Sequence, residues 1–402
     1  MKLKTVLIHL SIFTCALPGL FAQEPPHSFS QPQADWYFSV GSRFIFSGAK
    51  AKFENLGTIT TQAPSLEAGV NRVYHDGYVN ADEEREAESD PNTVVSGGRY
   101  KTYIEDEDGN LVQTGDFLSY DATKTRSWGY KNSEQANGGN IDFNTYSSVS
   151  NGGSVAGDQS LAGEVEVQFA KVFYRLNPRM QVSLMGSFGL TDISVESNGS
   201  VDADLHTIIH SYSLFGATAP TPPYNGPSYE DLDLDPSDPD NETIPSGRET
   251  TTPISQEHVG TSNRTTAGGA QVNGIWKING AYATVRLGPS LHARLSDRFQ
   301  IRLSAGLSTH FASTRFKYEE SLKIDGQATN LIKKSNDDDS SKVLFGYFAE
   351  ANLESWFNEK TGIFLGIHHE EVGDYQQNLD GRLAKISLGG STGIRTGIVF
   401  RY

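Results

Sequence analysis

Residues 383–402 read LAKISLGGSTGIRTGIVFRY, and their pattern decides the fold. Apolar and polar side chains alternate through the stretch: Ile394, Ile398 and Phe400 share one parity, whereas Arg395 and Arg401 share the other. A period of two is typical of a β-strand with one apolar face. We therefore expect one continuous strand over these residues. At about 3.3 Å per residue it would be roughly 60 Å long, several times the length of an ordinary strand.

The length of this strand favours a membrane-crossing strand over one in a soluble sandwich. A tilted strand needs only about 9 to 11 residues to cross a hydrocarbon layer, and the remainder can rise above the membrane. After residue 22, no apolar run approaches the roughly 18 residues of a membrane-spanning helix. If the protein crosses a membrane, we expect it to do so as a closed β-barrel.

The last eight residues, RTGIVFRY, resemble the C-terminal signal of bacterial outer-membrane β-barrel proteins. That signal has a polar residue, a glycine two positions later, a hydrophobic residue and a terminal aromatic residue, and Gly397, Phe400 and Tyr402 match it. In the family the signal is read by the barrel-assembly machinery. The resemblance therefore implies an assembly role for these three residues and a location in the cell outer membrane. It also implies contact with outer-membrane lipid and lipopolysaccharide.

The N-terminal residues 1–22 have the composition of a cleaved signal peptide. Lys2 and Lys4 precede an apolar stretch, and Ala22 supplies the small residue at its end. Cys15, the one cysteine, lies within this segment, so residues 23–402 have no thiol chemistry. Removing two lysines from 33 basic residues leaves 31 against 49 acidic ones, a net charge of about −18. This charge disfavours nucleic acid as a partner.

Alternating patterns and turn residues divide 23–402 into about eight strands. Short joints at 177–179, 296–298 and 358–361 contrast with long connections, of which 54–162 and 196–268 are the largest. Short turns on one side and long loops on the other are typical of outer-membrane barrels. We therefore predict an all-β, transmembrane antiparallel β-barrel with long extracellular loops, resembling the small OmpA and OmpX barrels. The predicted strands are 35–47, 163–176, 180–195, 271–295, 299–316, 342–357, 362–372 and 383–402.

The second of these strands has an irregular pattern. Val165 and Phe169 share their parity with Lys171 and Arg175, which would place two cations on the lipid face. A bulge, or the periplasmic end of the strand, is therefore expected near Lys171.

If the apolar residues of each strand face lipid, a set of charged residues on the other parity faces the lumen. Placing Arg395 against lipid instead would cost about 2 to 4 kcal/mol near the bilayer midplane. Buried charges need partners, and a barrel of eight strands is narrow enough for side chains to fill it. We therefore predict a plugged lumen and a non-enzymatic surface protein with no catalytic residue, metal site or cofactor. The predicted lumen network is Arg43, Arg286, Arg302, Glu350, Glu354, His368, Glu370, Lys385 and Arg395.

Three alternatives remain open. A porin-like protein passing small solutes would need more strands or an open lumen. An outer-membrane hydrolase could use His310, His368 and Glu370 near the outer ends of their strands, although spacing identifies no nucleophile. Metal binding by His368 and His369 is disfavoured, because a period of two puts them on opposite faces. Outside the membrane class, the chain could be a secreted β-sandwich.

The long loops carry weaker patterns. Segments 100–104 and 111–120 flank an Asp-Gly-Asn sequence and predict a hairpin. The aromatic segments 74–78 and 128–130 are expected to pack inside the loop. Residues 231–242 have carboxylates at an EF-hand-like spacing, but the sixth position is proline, where that loop requires glycine. We interpret this stretch as a solvated acidic loop.

Overall fold

In a computed structural model of the chain, the structure describes residues 34–46, 48–81, 103–105, 111–113, 123–226, 252–324 and 332–402. The predicted signal peptide 1–22 and the acidic stretch 231–242 lie outside these residues. Within the described ranges, no helix has the length and apolar character to span a membrane.

Eight long antiparallel strands form a closed ring, in which each strand is hydrogen-bonded to two neighbours. The first strand pairs with both the second and the last, which closes the ring. The ring has the number and order of strands that the sequence pattern predicts. The strands are β1 (Trp36–Ile45), β2 (Ala162–Asn177), β3 (Met180–Ser213), β4 (Gly260–Arg294), β5 (Phe299–Ile324), β6 (Ile332–Trp356), β7 (Thr361–Val372) and β8 (Ser391–Arg401).

The connections are short at one end of the ring, the turn side, and long at the other, the loop side. Residues 178–179, 295–298 and 357–360 make the turns, close to their predicted positions. β3 has 34 residues and β4 has 35, so both extend far beyond their predicted loop-side ends. Residues 196–213 and 260–268, which we expected to be loop, are therefore strand.

The register of the ring fixes the tilt of its strands. A path that starts at Ile45 of β1 and steps from partner to partner returns to β1 at Asp35, ten residues lower. A stagger of ten residues over eight strands corresponds to a tilt of about 40 to 45° from the ring axis, as in closed β-barrels. The path runs through Gly393, His368, Glu350, Ser304, Ser290, Ser183 and Val172.

A second sheet of four short strands, here called the upper sheet, continues one half of the ring on the loop side. Its strands are Gly153–Asp158, Lys50–Leu56, Arg382–Ser387 and Tyr375–Leu379, in that spatial order. They adjoin β2, β1, β8 and β7 in sequence, so the order of the wall is preserved across a break.

The break corrects the expectation of one continuous strand over 383–402. The chain leaves the upper sheet after Ser387 and enters β8 at Ser391. Gly390 has φ +67°, a conformation that favours glycine, and a Cβ on Gly389 would lie 2.5 Å from the carbonyl oxygen of Val372. The two glycines interrupt the strand although the apolar alternation runs through them.

The upper sheet packs against the loop-side halves of β3 to β6 as the second layer of a β-sandwich. Phe53 of the upper sheet stacks on Phe316 of β5 with ring centroids 5.6 Å apart, and both side chains are fully buried. Trp276 and Ile278 of β4 lie in the same apolar core. The loop-side half of the ring is thus filled by a hydrophobic core.

A third sheet lies beyond this sandwich, with strands Arg72–Tyr74, Gly77–Val79, Trp128–Tyr130 and Tyr224–Asn225. The aromatic segments expected to pack inside the loop form this sheet and its core. Of the predicted hairpin, residues 103–105 and 111–113 lie among the described residues, and they are paired. The remaining short elements are Tyr103–Glu105 paired with Leu111–Gln113, Lys124–Thr125 paired with Ile254–Ser255, Ala136–Asn137, Asn140–Ser150, which pairs with β3, and the 3₁₀ turn Ser133–Gln135.

Candidate functional site

Both faces of the ring wall exchange polarity at one height. On β3 the outward residues Phe188 and Leu190 are more than half exposed, and the next outward residue is Asp192. The inward residues change in the opposite sense, from Thr191 to the buried Ile193. No register shift occurs at this point of the β3–β4 ladder. The same strand therefore changes from apolar outside and polar inside to polar outside and apolar inside.

The outward face of other strands makes the same change, on β5 between Phe311 and Ser313 and on β7 between Ile367 and His369. The inward face of β7 stays polar through Glu370 and becomes apolar at Val372. Below it, the outward surface is an apolar belt, nine residues tall on β3 from Val182 to Leu190. Exposed members of the apolar belt include Trp36, Phe46, Phe169, Phe188, Leu287, Leu307, Phe345, Leu365, Ile398 and Tyr402.

Arg286 of β4 lies at the centre of the lumen inside the apolar belt. Its side chain, fully buried, bonds Glu164 of β2 with contacts of 2.7 and 3.0 Å. On its other side it bonds Glu370 of β7 at 3.0 and 2.6 Å. One guanidinium therefore makes two bidentate contacts and joins three strands across the lumen.

Two further arginines also join strands across the lumen. Arg43 of β1 bonds Glu350 of β6 at 3.1 Å and also contacts Glu166 of β2. Arg395 of β8 reaches the same two carboxylates, with 2.6 Å to Glu350. Because these contacts join strands on opposite sides of the ring, they obstruct the lumen.

Eight of the nine residues predicted for the lumen network lie inside the ring. They are Arg43, Arg286, Arg302, Glu350, Glu354, His368, Glu370 and Arg395, none more than 5% exposed. Towards the turn side, Arg302 pairs with Glu354 at 3.1 Å.

The placement of Lys385 in the lumen was wrong. Lys385 lies on the outer face of the upper sheet, where its side chain is 43% exposed and bonds Glu54 at 2.7 Å. Its parity was assigned from a strand that the structure breaks at residues 388–390.

The sequence analysis missed Glu164 and Glu166, which supply half of the carboxylates around Arg43, Arg286 and Arg395. The irregularity of β2 concealed them. The expected bulge is present as a register shift between Val172 and Tyr174. Lys171, next to this bulge, is exposed. The alternation of Glu164, Glu166 and Gln168 with apolar residues was the available signal.

The proposed hydrolase residues do not form a site at the rim. His310 Nε2 lies 3.2 Å from Glu370 Oε1 and its Nδ1 lies 3.1 Å from Thr284 Oγ1, but all three residues are at most 3% exposed. His368 also points inward, whereas His369 points outward and contacts Thr392 at 3.0 Å. His310 and His368 therefore lie in the lumen, below the sandwich core. Among the described residues, no group of three or more His, Cys, Asp or Glu is arranged to hold a metal ion.

The terminal residues Gly397, Phe400 and Tyr402 lie at the seam where β8 meets β1. Gly397 is paired with Gly41, and a Cβ on Gly397 would lie 2.2 Å from the carbonyl oxygen of Val40. The ring of Phe364 covers both glycines. Phe400 and Tyr402 point outward at the turn side, where Tyr402 is 68% exposed. Gly397 thus has a packing function in the closed ring.

A buried polar cluster lies under the third sheet, well above the apolar belt. The hydroxyl of Tyr74 lies 3.0 Å from Nδ1 of His210 and 2.8 Å from the hydroxyl of Tyr212. Burial lowers the pKa of His210, and the neighbouring His258 and Arg72 lower it further. The neutral imidazole is therefore the form that the folded protein favours.

No family model matches the chain, and no curated protein matches it by sequence. The outer-membrane protease OmpT of Escherichia coli aligns over 94% of this chain and 99% of its own, with 6% identity and a TM-score of 0.27. A FadL homologue of Pseudomonas aeruginosa aligns over 92% and 90%, with 8% identity and a TM-score of 0.16. OmpT of Vibrio cholerae aligns over 94% and 100%, with 7% identity and a TM-score of 0.11.

These comparisons correct one expectation. The chain was expected to be non-enzymatic, whereas the first of the similar structures is an outer-membrane protease. The expectation of a non-enzymatic protein is therefore withdrawn. At a TM-score of 0.27 the alignment does not assign an activity to this chain either.

Proposed function

We propose that this chain is an integral outer-membrane β-barrel protein with a plugged lumen, which acts at the cell surface through its loop-side sandwich. The observation that carries the proposal is the exchange of polarity across the ring wall. A ring wall with water on both its inner and its outer face has no physical reason to expose an apolar outer face. A wall that crosses a hydrocarbon layer requires one.

The dimensions of the apolar belt support a bilayer crossing. Nine residues from Val182 to Leu190 at about 3.3 Å each, tilted by about 45°, give a height of about 20 Å, close to the roughly 25 Å band of outer-membrane barrels. Aromatic residues lie at both margins, with Trp36 and Tyr402 at the turn side and Phe46 and Phe345 near the loop side. Aromatic girdles at the two interfaces are typical of such barrels.

The contents of the ring argue against the porin-like alternative. Arg286, Arg43 and Arg395 each join strands across the lumen, and the apolar sandwich core fills the ring above them. An open channel would have to break buried ion pairs and expose the sandwich core. Reconstituted protein should therefore show no stable single-channel conductance, and a reproducible open conductance would contradict the plugged lumen.

Fractionation and gel mobility test the location and the assembly signal together. Folded outer-membrane barrels migrate differently from the boiled protein, so the outer-membrane fraction should show a heat-dependent shift. A variant lacking Phe400 to Tyr402 should lose both the shift and outer-membrane residence. Soluble full-length protein without a shift would reject the proposal and favour a secreted sandwich.

Cysteine labelling on intact cells tests the height of the membrane edge. Residues 23–402 contain no cysteine, so single replacements report without background. Ser313→Cys lies outward just above the apolar belt and should react with a membrane-impermeant maleimide. Leu307→Cys lies outward within the belt, and Ala312→Cys lies inward, so both should react only after unfolding. Equal labelling of Ser313→Cys and Leu307→Cys would contradict the assigned edge.

A further inference from the structure

The outer face of the upper sheet carries a lysine shelf, defined by Lys50, Lys52 and Lys385. These residues alternate with Ala51, Phe53 and Ala384, which are buried in the sandwich core, so the lysines point away from the core. They line a groove of about 480 Å³ that also includes Asp158 and Asp374. The groove forms where the upper sheet adjoins the end of the ring wall.

The charges on this shelf are arranged differently from those on the opposite wall. On β4 and β5, Lys277 bonds Glu196 at 2.9 Å and Lys317 bonds Glu319 at 2.7 Å, so each cation has its own carboxylate. On the shelf, Lys52 and Lys385 are direct cross-strand partners, as Lys277 and Lys317 are on the opposite wall, but the shelf pair shares one carboxylate. Like charges at such positions destabilise a sheet.

One carboxylate serves both lysines of this pair. Glu54 contacts Lys52 at 2.8 Å and Lys385 at 2.7 Å, and their hydrogen bonds lower its pKa. Glu54 can neutralise one of the two positive charges. Both ammonium groups stay partly exposed, with side-chain exposures of 56% and 43%, and each has further donors for an anion.

The shelf lies directly above the apolar belt, where the headgroups of a bilayer around the belt would be. Phe46, the last outward apolar residue on this side, follows the end of β1, and Lys50 begins the upper sheet four residues later. A lysine stem is long and flexible enough to bring its ammonium group down toward the interface.

We propose that the lysine shelf is a binding site for the phosphorylated headgroup of an outer-leaflet glycolipid, with Lys52 and Lys385 holding one phosphate and Lys50 adding a third ammonium. The acyl chains of that lipid would lie against the apolar belt below the shelf. Asp158 and Asp374 flank the groove and favour a headgroup whose phosphates carry bound divalent cations. The inference rests on the proposed outer-membrane location, which brings lipid phosphates to this height.

Binding of purified lipid A to the detergent-solubilised full-length protein tests the proposal, with native mass spectrometry as the readout. Lipid A bearing two phosphates should bind, and its dephosphorylated form should bind at least about tenfold more weakly, because charge-assisted bonds to phosphate are lost. Lys52→Gln with Lys385→Gln should produce the same loss. Lys277→Gln, a paired lysine on the opposite wall, is the matched control and should bind like the unmodified protein.

The heat-dependent gel shift, recorded for every variant, distinguishes failure of the proposed lipid site from failure of the proposed function. If the proteins are folded outer-membrane barrels but the double variant binds lipid A normally, the shelf is not the site and the proposed function stands. If no protein shows the shift or outer-membrane residence, the proposed function itself fails. Inorganic pyrophosphate should compete only weakly, and full competition at equal concentration would overturn the lipid assignment in favour of a free anion.

Discussion

Replacing Arg286 by methionine gives the strongest test of the lumen. Methionine has a similar length but no charge, so Glu164 and Glu370 would remain buried without the guanidinium that both contact in a bidentate manner. Breaking a buried ion pair from one side costs about 3 to 5 kcal/mol. Because Arg286 serves two carboxylates, we expect the upper end of this range, about 5 kcal/mol.

Urea titration of the protein in lipid vesicles measures this loss, with the folded fraction read from unboiled gel mobility. For an m-value of about 2.5 kcal/mol per M, a loss of about 5 kcal/mol lowers the midpoint by about 2 M. Two controls make the result specific. Lys277→Met removes a partly exposed cation from the same strand and should cost less than about 1 kcal/mol. Replacing Arg286, Glu164 and Glu370 together by Met, Gln and Gln should recover most of the loss, since no unpaired charge remains.

Two results would refute this reasoning. A midpoint for Arg286→Met within about 0.4 M of the unmodified protein, which is about 1 kcal/mol, would mean that water or rearrangement solvates the two carboxylates. A triple variant no more stable than the single one would mean that packing of the arginine, rather than its charge, holds the lumen together.

Three further predictions follow from the structure. Gly397→Val should prevent normal closure of the ring, because its side chain meets the backbone of the neighbouring strand; pulse-labelled cells should then accumulate protein without a heat-dependent shift, and a normal shift would contradict the seam packing. Phe53→Ala should cost about 3 to 5 kcal/mol in the sandwich core and expose the loops to protease while the ring keeps its gel shift; unchanged protease resistance would contradict the two-layer packing. Burial lowers the pKa of His210 in the folded protein. Its neutral form therefore contributes stability that is fully present above the pKa of an unfolded histidine, about 6.5, and is lost as the pH falls. Protease cleavage of the third sheet should increase between about pH 7.5 and 5.5, and His210→Gln should flatten that profile.

The sequence predicts the ring well because an apolar outer face and a polar lumen impose a strict period of two on the turn-side half. Arg395 shows the principle, since one parity puts it in hydrocarbon and the other in a paired site with Glu350. Turn residues then locate the strand ends, as at 178–179. The loop-side ends of the strands were missed because the alternation continues there with its apolar residues pointing inward. Alternation alone does not distinguish an apolar face on the outside of a ring from one toward a core.

The error at Lys385 and the correct placement of Arg395 have one origin. Both lie on the polar parity of the same alternating stretch, but the glycines at 389 and 390 separate a strand whose apolar face meets a sandwich core from a strand whose apolar face is the outer surface of the ring. In the first strand the apolar residues point inward and the polar parity is the outer surface; in the second the apolar residues point outward and the polar parity is the lumen. A single change of environment therefore moves a lysine to the surface and an arginine to the interior. The two glycines locate the break in this strand, because glycine tolerates the backbone conformation that the break requires, whereas β3 makes the same change of environment without a break.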